Sequence, residues 1–228
     1  MRAVVMGGTS GIGLAVADTL TESGVKVTVT GRDLAKLAAL DGRFAAAERL
    51  DATDRAAVTE FFDRHGLFEH LVLAFSPGPA GLGPVREVSL ADIETAFTGK
   101  LFGYLHAIRQ ADVTESITMI SAASARAALP GTVALAAVNG AIERMVSPLA
   151  AELAPVRVNA VSPGVVDTPW WSFLPDDQRQ AQFDSAAGSV PAGRIATPAD
   201  VAGAVSYLTG AGLVTGTILP VDGGFTVA

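Results

Sequence analysis

The sequence predicts an α/β protein, a three-layer doubly wound parallel sheet of about seven strands. Three observations carry this. Short runs rich in Val, Ile and Leu alternate with longer helical patterns along the whole chain. Half of the 228 residues are hydrophobic and only 17% are charged, as a sheet covered on both faces requires. A glycine-rich turn, Gly7-Gly8-Thr9-Ser10-Gly11-Ile12-Gly13, joins the first apolar run to the first helical pattern.

The elements follow in order. Ala3-Val4-Val5-Met6 predicts a buried first strand, near 2–6, and the alanine-rich stretch after the glycines a helix near 12–23. Further strands are expected near 26–30, 47–50, 70–75, 116–120, 156–161 and 217–221. Helices are expected between them near 33–40, 54–65, 90–110, 133–153 and 199–209. Strand–helix alternation implies right-handed crossovers, with ligands meeting the carboxyl ends of the strands. The least regular stretch at that end runs from Pro169 to Val190. The length suits a single domain spanning 1–228, without internal repeat or second domain.

Composition excludes several function classes. A net charge of −7 without any basic cluster argues against nucleic acid and against anionic membrane surfaces. With no cysteine there is neither a disulfide framework nor thiol chemistry. No apolar run approaches ~20 residues, and no basic-then-apolar leader opens the chain, so a soluble cytoplasmic protein is expected. His65, His70 and His106 have no metal-ligand spacing, so no metal is expected.

Strand, glycine turn, helix is the arrangement that cradles a dinucleotide pyrophosphate. The glycines let the backbone approach the phosphates, and the helix N-terminus offers free N–H groups and a positive dipole end. The spacing Gly7-x-x-x-Gly11-x-Gly13 resembles the short-chain dehydrogenase/reductase family, and further matches occur in order. They are Asp51-Ala52-Thr53-Asp54, then Val158 to Gly164 with Val165-Val166-Asp167-Thr168, then Pro191 to Val205, and Thr215-Gly216 through Gly224. The resemblance covers residues 2 to 226. It implies a Rossmann fold, a nicotinamide cofactor, a small-molecule substrate, a substrate lid near 169–190 and a homodimer or homotetramer.

The resemblance also exposes a departure. The family reduces carbonyls with a Tyr acid, a Lys four residues later and a Ser about one strand earlier. Here the Tyr position falls on Leu135, the Lys position on Asn139 and the Ser position on Ala122, beside Ser121. Neither tyrosine, Tyr104 or Tyr207, is followed four residues later by a lysine, and the lysines are only Lys26, Lys36 and Lys100. The family's Asn on the preceding helix aligns with Lys100, and its Asn-Asn-Ala-Gly stretch has become Phe75-Ser76-Pro77-Gly78.

For the cofactor, the resemblance assigns Gly7, Thr9, Ser10, Gly11, Ile12, Gly13, Arg32, Asp51, Ala52, Ser76, Gly78, Asn139, Pro163, Gly164, Val166 and Thr168. Arg32 suits the 2′-phosphate of NADP(H) rather than NAD(H), although Asp33 follows it and an ordinary exposed charge is the alternative. Asp51 is either an adenine contact or a helix cap, or both. Trp170, Trp171 and Phe173 line a substrate pocket, pack the lid or meet another subunit. Lys100 and Tyr104, four apart, form either a relocated acid or oxyanion stabiliser, or else a solvent-facing or interface pair. Ser121, Ser124, Arg126 and Asn139 are the remaining polar groups near the expected site.

Two functions fit. One is an NADP-dependent oxidoreductase with a non-standard proton donor, acting on an activated substrate such as an iminium ion or an enone. The other is a non-redox protein of the same fold, either a cyclase or isomerase using the pocket, or a regulatory or heteromeric partner.

Overall fold

Seven parallel strands lie in the order β3-β2-β1-β4-β5-β6-β7 in the computed structural model, which describes residues 1–227. Residue 228, the last of the expected domain, lies outside the described residues. The strands are β1 Arg2–Met6, β2 Lys26–Gly31, β3 Ala46–Arg49, β4 Phe68–Leu73, β5 Val113–Ile120, β6 Arg157–Pro163 and β7 Ile218–Val221. The helices are α1 Gly11–Glu22, α2 Leu34–Ala38, α3 Arg55–His65, α4 Leu90–Ala96, α5 Gly103–Gln110, α6 Val133–Glu152, α7 Asp176–Ser189 and α8 Pro198–Gly210. A short π-helical segment, Phe97–Phe102, joins α4 to α5.

Alternation along each strand divides the core. Val4 and Met6 of β1 pack with Phe61, Tyr104 and Ile142 on the face covered by α3, α5 and α6. Ala3 and Val5 pack with Val16, Leu20, Val205 and Leu208 on the face covered by α1 and α8. Strand β6 is buried along its whole length, as a strand covered on both faces must be. Asn159 ties β6 to its edge neighbour, donating to the Val214 carbonyl at 2.9 Å and accepting from the Thr217 N–H at 3.1 Å.

The order of winding reverses between β1 and β4, so the crevice at their carboxyl ends is where a ligand belongs. Two expectations need correction. Strand β4 starts and ends about two residues earlier than predicted. The stretch from Pro169 is not irregular: a 3₁₀ turn at Pro169–Phe173 leads into the fourteen-residue helix α7. Sparse apolar spacing hid that helix, since Phe183 is its only buried residue.

Candidate functional site

A cleft of about 1420 Å³ opens along the carboxyl ends of the strands. Its floor begins with the glycine turn. Gly7 has φ +83°, and a Cβ there would lie 2.7 Å from the Phe75 nitrogen. Gly11 has φ +53°, and a Cβ there would lie 3.3 Å from Thr168 Cβ. A Cβ on Gly13 would strike the Gly7 carbonyl. The loop therefore leaves only a bare backbone beside the start of α1. Ser10, the residue before that helix, makes no side-chain cap bond, and the first turn carries no acidic residue. These N–H groups and the dipole end are thus open to an anion. The cradle fits a pyrophosphate.

The cleft continues past Thr30, Gly31, Arg32 and Lys36. Asp33 is committed elsewhere, capping α2 by accepting from the N–H groups of Ala35 at 2.9 Å and Lys36 at 3.2 Å. Arg32 is exposed and makes no ion pair or side-chain hydrogen bond among the described residues. The two cations therefore dominate this end. Asp51 accepts from the Thr53 N–H at 2.9 Å and hydroxyl at 2.8 Å. Burial pushes its carboxyl upward, but those two bonds, with Arg32 and Arg49, outweigh that and hold it below its ordinary value. Asp51 does not cap α3; Asp54 does, accepting from the Ala57 N–H at 3.1 Å.

Thr9, Ser10, Ile12, Ala52, Ser76, Gly78, Pro163, Gly164, Val166 and Thr168 all line the same cleft, as do Lys100, Tyr104, Ser121, Ala122, Leu135 and Asn139. Trp170, Trp171 and Phe173 also line it: Trp170 lies edge-on to the other two, while Trp171 stacks on Phe173 and meets Phe183 of α7 edge-on. The Trp171 indole donates to the Val166 carbonyl at 3.1 Å, so this aromatic wall is anchored to the end of the sheet.

Lys100 points inward. Its Nζ donates to Asn139 Oδ1 at 2.7 Å and to the Ser121 carbonyl at 3.4 Å. The residue is half-buried. Burial lowers its pKa to about 7, while the nearby Glu143 carboxylate acts in the opposite sense. The π-helical segment carries Lys100 to this position, and Gly99 lets the segment approach the loop: a Cβ there would lie 2.7 Å from Pro77 Cβ. The solvent and interface alternatives for Lys100 therefore do not hold for its side chain.

The expected Lys100–Tyr104 pair does not form. No hydrogen bond joins the two among the described residues: Tyr104 is 0% exposed, packed edge-on against Phe75 with its hydroxyl donating to the Ile120 carbonyl at 3.2 Å. Burial pushes that phenol well above its ordinary value. Ser121 also turns its hydroxyl away, donating to Glu143 Oε1 at 2.9 Å.

Glu143 was missed by the motif reading. It accepts also from the Ser162 hydroxyl at 2.7 Å and lies 3.3 Å from Arg126 Nε. Its place four residues after Asn139 on α6 puts it on the same helix face, and that spacing was the available signal. The Asn139 amide nitrogen has both hydrogens engaged, donating to Ser124 Oγ at 3.2 Å and to the Leu135 carbonyl at 2.9 Å. Among the described residues no cluster of three or more His, Cys, Asp or Glu is placed to hold a metal, and no helix is long and apolar enough to cross a membrane.

Known proteins share this architecture from end to end. The family model described as enoyl-(acyl carrier protein) reductase matches residues 7–226. The chain belongs to the short-chain dehydrogenase/reductase family. Among its relatives in that family, cis-4-hydroxycyclohexanecarboxylate dehydrogenase of Sinomonas cyclohexanicum is 34% identical, over 98% of this chain and 96% of the relative. The short-chain dehydrogenase/reductase malC of Malbranchea aurantiaca is 30% identical, over 97% and 92%. A small-chain dehydrogenase solved in complex with NADPH superposes with a TM-score of 0.87 at 30% identity, over 100% of this chain and 99% of that one. The MalC reductase/Diels-Alderase structure superposes with a TM-score of 0.88 at 25% identity, over 100% and 95%.

Proposed function

We propose that this protein is an NADPH-dependent oxidoreductase in which the ammonium of Lys100 replaces the family's Tyr and Lys. The observation that carries this reading is the 2.7 Å contact from Lys100 Nζ to Asn139 Oδ1 at the cleft wall. Family alignment puts Leu135, Asn139 and Ala122 where the Tyr, Lys and Ser belong. Lys100, on the facing element, brings a cation back to the same spot. Related structures solved with NADPH, and the cations Arg32 and Lys36, favour NADP(H).

When bound, NADPH supplies a hydride. The chain's own residues do the rest. The glycine turn and the start of α1 hold the pyrophosphate, Arg32 reads the 2′-phosphate and Asp51 with Ala52 meets the adenine. Ser76, Gly78, Pro163, Gly164, Val166 and Thr168 position the nicotinamide half, and Asn139 meets the ribose. Lys100 stands against negative charge developing on a substrate oxygen, fixed in advance by Asn139 and the Ser121 carbonyl. With a pKa of about 7 it is also able to pass a proton to that oxygen. Leu135 donates nothing, so substrates that need a strong acid at its position are not turned over. An iminium ion needs none, and an enone needs only its developing enolate oxygen stabilised, which is the part Lys100 plays.

Trp170, Trp171 and Phe173 shape the substrate end under a lid at 169–190 of one domain spanning 1–228. The protein acts as a cytoplasmic homodimer or homotetramer.

A second, non-redox reading has one specific support: a structural neighbour at 25% identity carries the name MalC reductase/Diels-Alderase. NADPH consumption with enones, iminium ions and plain ketones tests the first reading. It predicts turnover of the first two only. NADPH binding without consumption of any of them favours the cyclase or partner reading.

A further inference from the structure

We infer that Lys100 and Ser124 form an oxyanion-binding pair, built on the Asn139 amide, that takes a single negatively charged oxygen on an otherwise apolar ring: a phenolate or a stabilised enolate. This deepens the oxidoreductase reading by naming the class of compound that the site holds, and it brings in Ser124 as a residue that touches it.

The bonding inventory leads there. An ammonium has three donors. Two of Lys100's are taken, by Asn139 Oδ1 at 2.7 Å and the Ser121 carbonyl at 3.4 Å, and the third has no acceptor among the described residues. Ser124 accepts from Asn139 Nδ2 at 3.2 Å, and its own hydroxyl hydrogen has no acceptor there either. One amide thus holds both groups, its oxygen on the lysine and its nitrogen on the serine. The second Nδ2 hydrogen, bonded to the Leu135 carbonyl at 2.9 Å, stops that amide from turning. Both unused donors belong to residues on the cleft wall.

The nearest competing anion is occupied. Glu143 is taken by Ser121, Ser162 and Arg126 and makes no bond to Lys100. Leu135, one turn before Asn139, borders the pair, and the cleft further presents the apolar side chains of Leu82, Leu129, Trp170, Trp171 and Phe173. A desolvated anion there must find its partners in the wall. Two donors held together by one amide suit one oxygen. The planar, bidentate fork that favours a carboxylate is absent, since arginine does not line this end of the cleft.

The test uses 4-nitrophenol, its methyl ether 4-nitroanisole and benzoate, with and without NADPH. Both of the protein's tryptophans lie in the cleft, so intrinsic fluorescence, read against the same titration of NADPH alone, reports occupancy of the cleft. Phenolate absorbance reports ionisation. About one unit below the phenol's own pKa, bound nitrophenol is expected to appear as phenolate and to bind at least about tenfold more tightly than the ether. Lys100→Met abolishes the ionisation and the preference. Ser124→Ala, a small change at a half-buried site, reduces both several-fold and leaves ether binding unchanged. Nitrophenol bound as the neutral phenol, equal affinity for the ether, tighter binding of benzoate, or an unchanged Ser124→Ala variant would each overturn the pair. Ionisation without NADPH consumption by any substrate keeps the anion site and removes the redox reading. Consumption without ionisation does the reverse.

Discussion

Lys100 is the residue on which the chemistry turns, and its environment has a measurable consequence for stability. Burial lowers its pKa from the ordinary 10.5 to about 7 in the folded chain, whereas the unfolded chain keeps the ordinary value. Between those two values the unfolded state binds a proton that the folded state lacks, so stability rises with pH across that window. Below about 7 both states are charged and the burial penalty is fully present. Denaturant titrations of the ligand-free protein should show this rise, and Lys100→Met should flatten it. A slope unchanged in the variant assigns the effect to another group. Arg32 is the second decisive residue. With Asp33 held at the start of α2, Arg32→Ala should weaken NADPH by about 1.5–3 kcal/mol and leave NADH nearly untouched, as read by calorimetry. An equal loss for both nucleotides would show that Arg32 does not read the 2′-phosphate. The sequence already pointed to both residues, because an unexpected charge in a recognised motif is visible without coordinates. Glu143 was not visible in that way: its meaning depends on Ser121 and Ser162 from two neighbouring strands, and no local pattern encodes that meeting.

At the scale of elements, the join between α4 and α5 does the positioning. A helix from 90 to 110 was expected from its apolar spacing, and its ends are nearly as predicted. Its wide middle turn was not legible, because propensity does not distinguish α from π hydrogen bonding within one apolar stretch. Lys100 and Tyr104 both reach the cleft wall from it, their polar atoms on the adjacent carbonyls of Ser121 and Ile120, but each is bonded there separately. Gly99 is the element's tight point. Gly99→Ala would place a methyl 2.7 Å from Pro77 Cβ, forcing the segment off the Phe75–Gly78 loop. We expect turnover of the true substrate to fall at least about tenfold while the melting temperature drops by only a few degrees, roughly 1 kcal/mol of stability. Wild-type turnover in that variant would show that the segment's position does not set Lys100. The strands were the most legible elements, since runs such as Val4-Val5-Met6 are buried on both sides and carry an uninterrupted apolar signal. Helix α7 was the least, because a helix resting on one aromatic residue leaves no stripe to read.

For the whole molecule, the fold class followed from alternation alone, and the seven-stranded parallel order agrees with it. The location of the cleft followed from the topology, at the reversal between β1 and β4. Assembly belongs to this scale. Phe102 and Leu105 around α5, with Leu129 and Val133 at the start of α6, are exposed apolar side chains on neighbouring elements. We expect a closed homodimer or homotetramer at tens of micromolar by light scattering, and a monomer at that concentration would contradict it. The most direct test of the central claim is isotopic. NADPH deuterated at the nicotinamide C4, given with an enone substrate, should deliver deuterium to the product in the wild-type protein. The same experiment with Lys100→Met should deliver little, while that variant still binds NADPH. Undeuterated product, or equal transfer by the variant, would contradict the assignment of Lys100 as the group that replaces the family's acid.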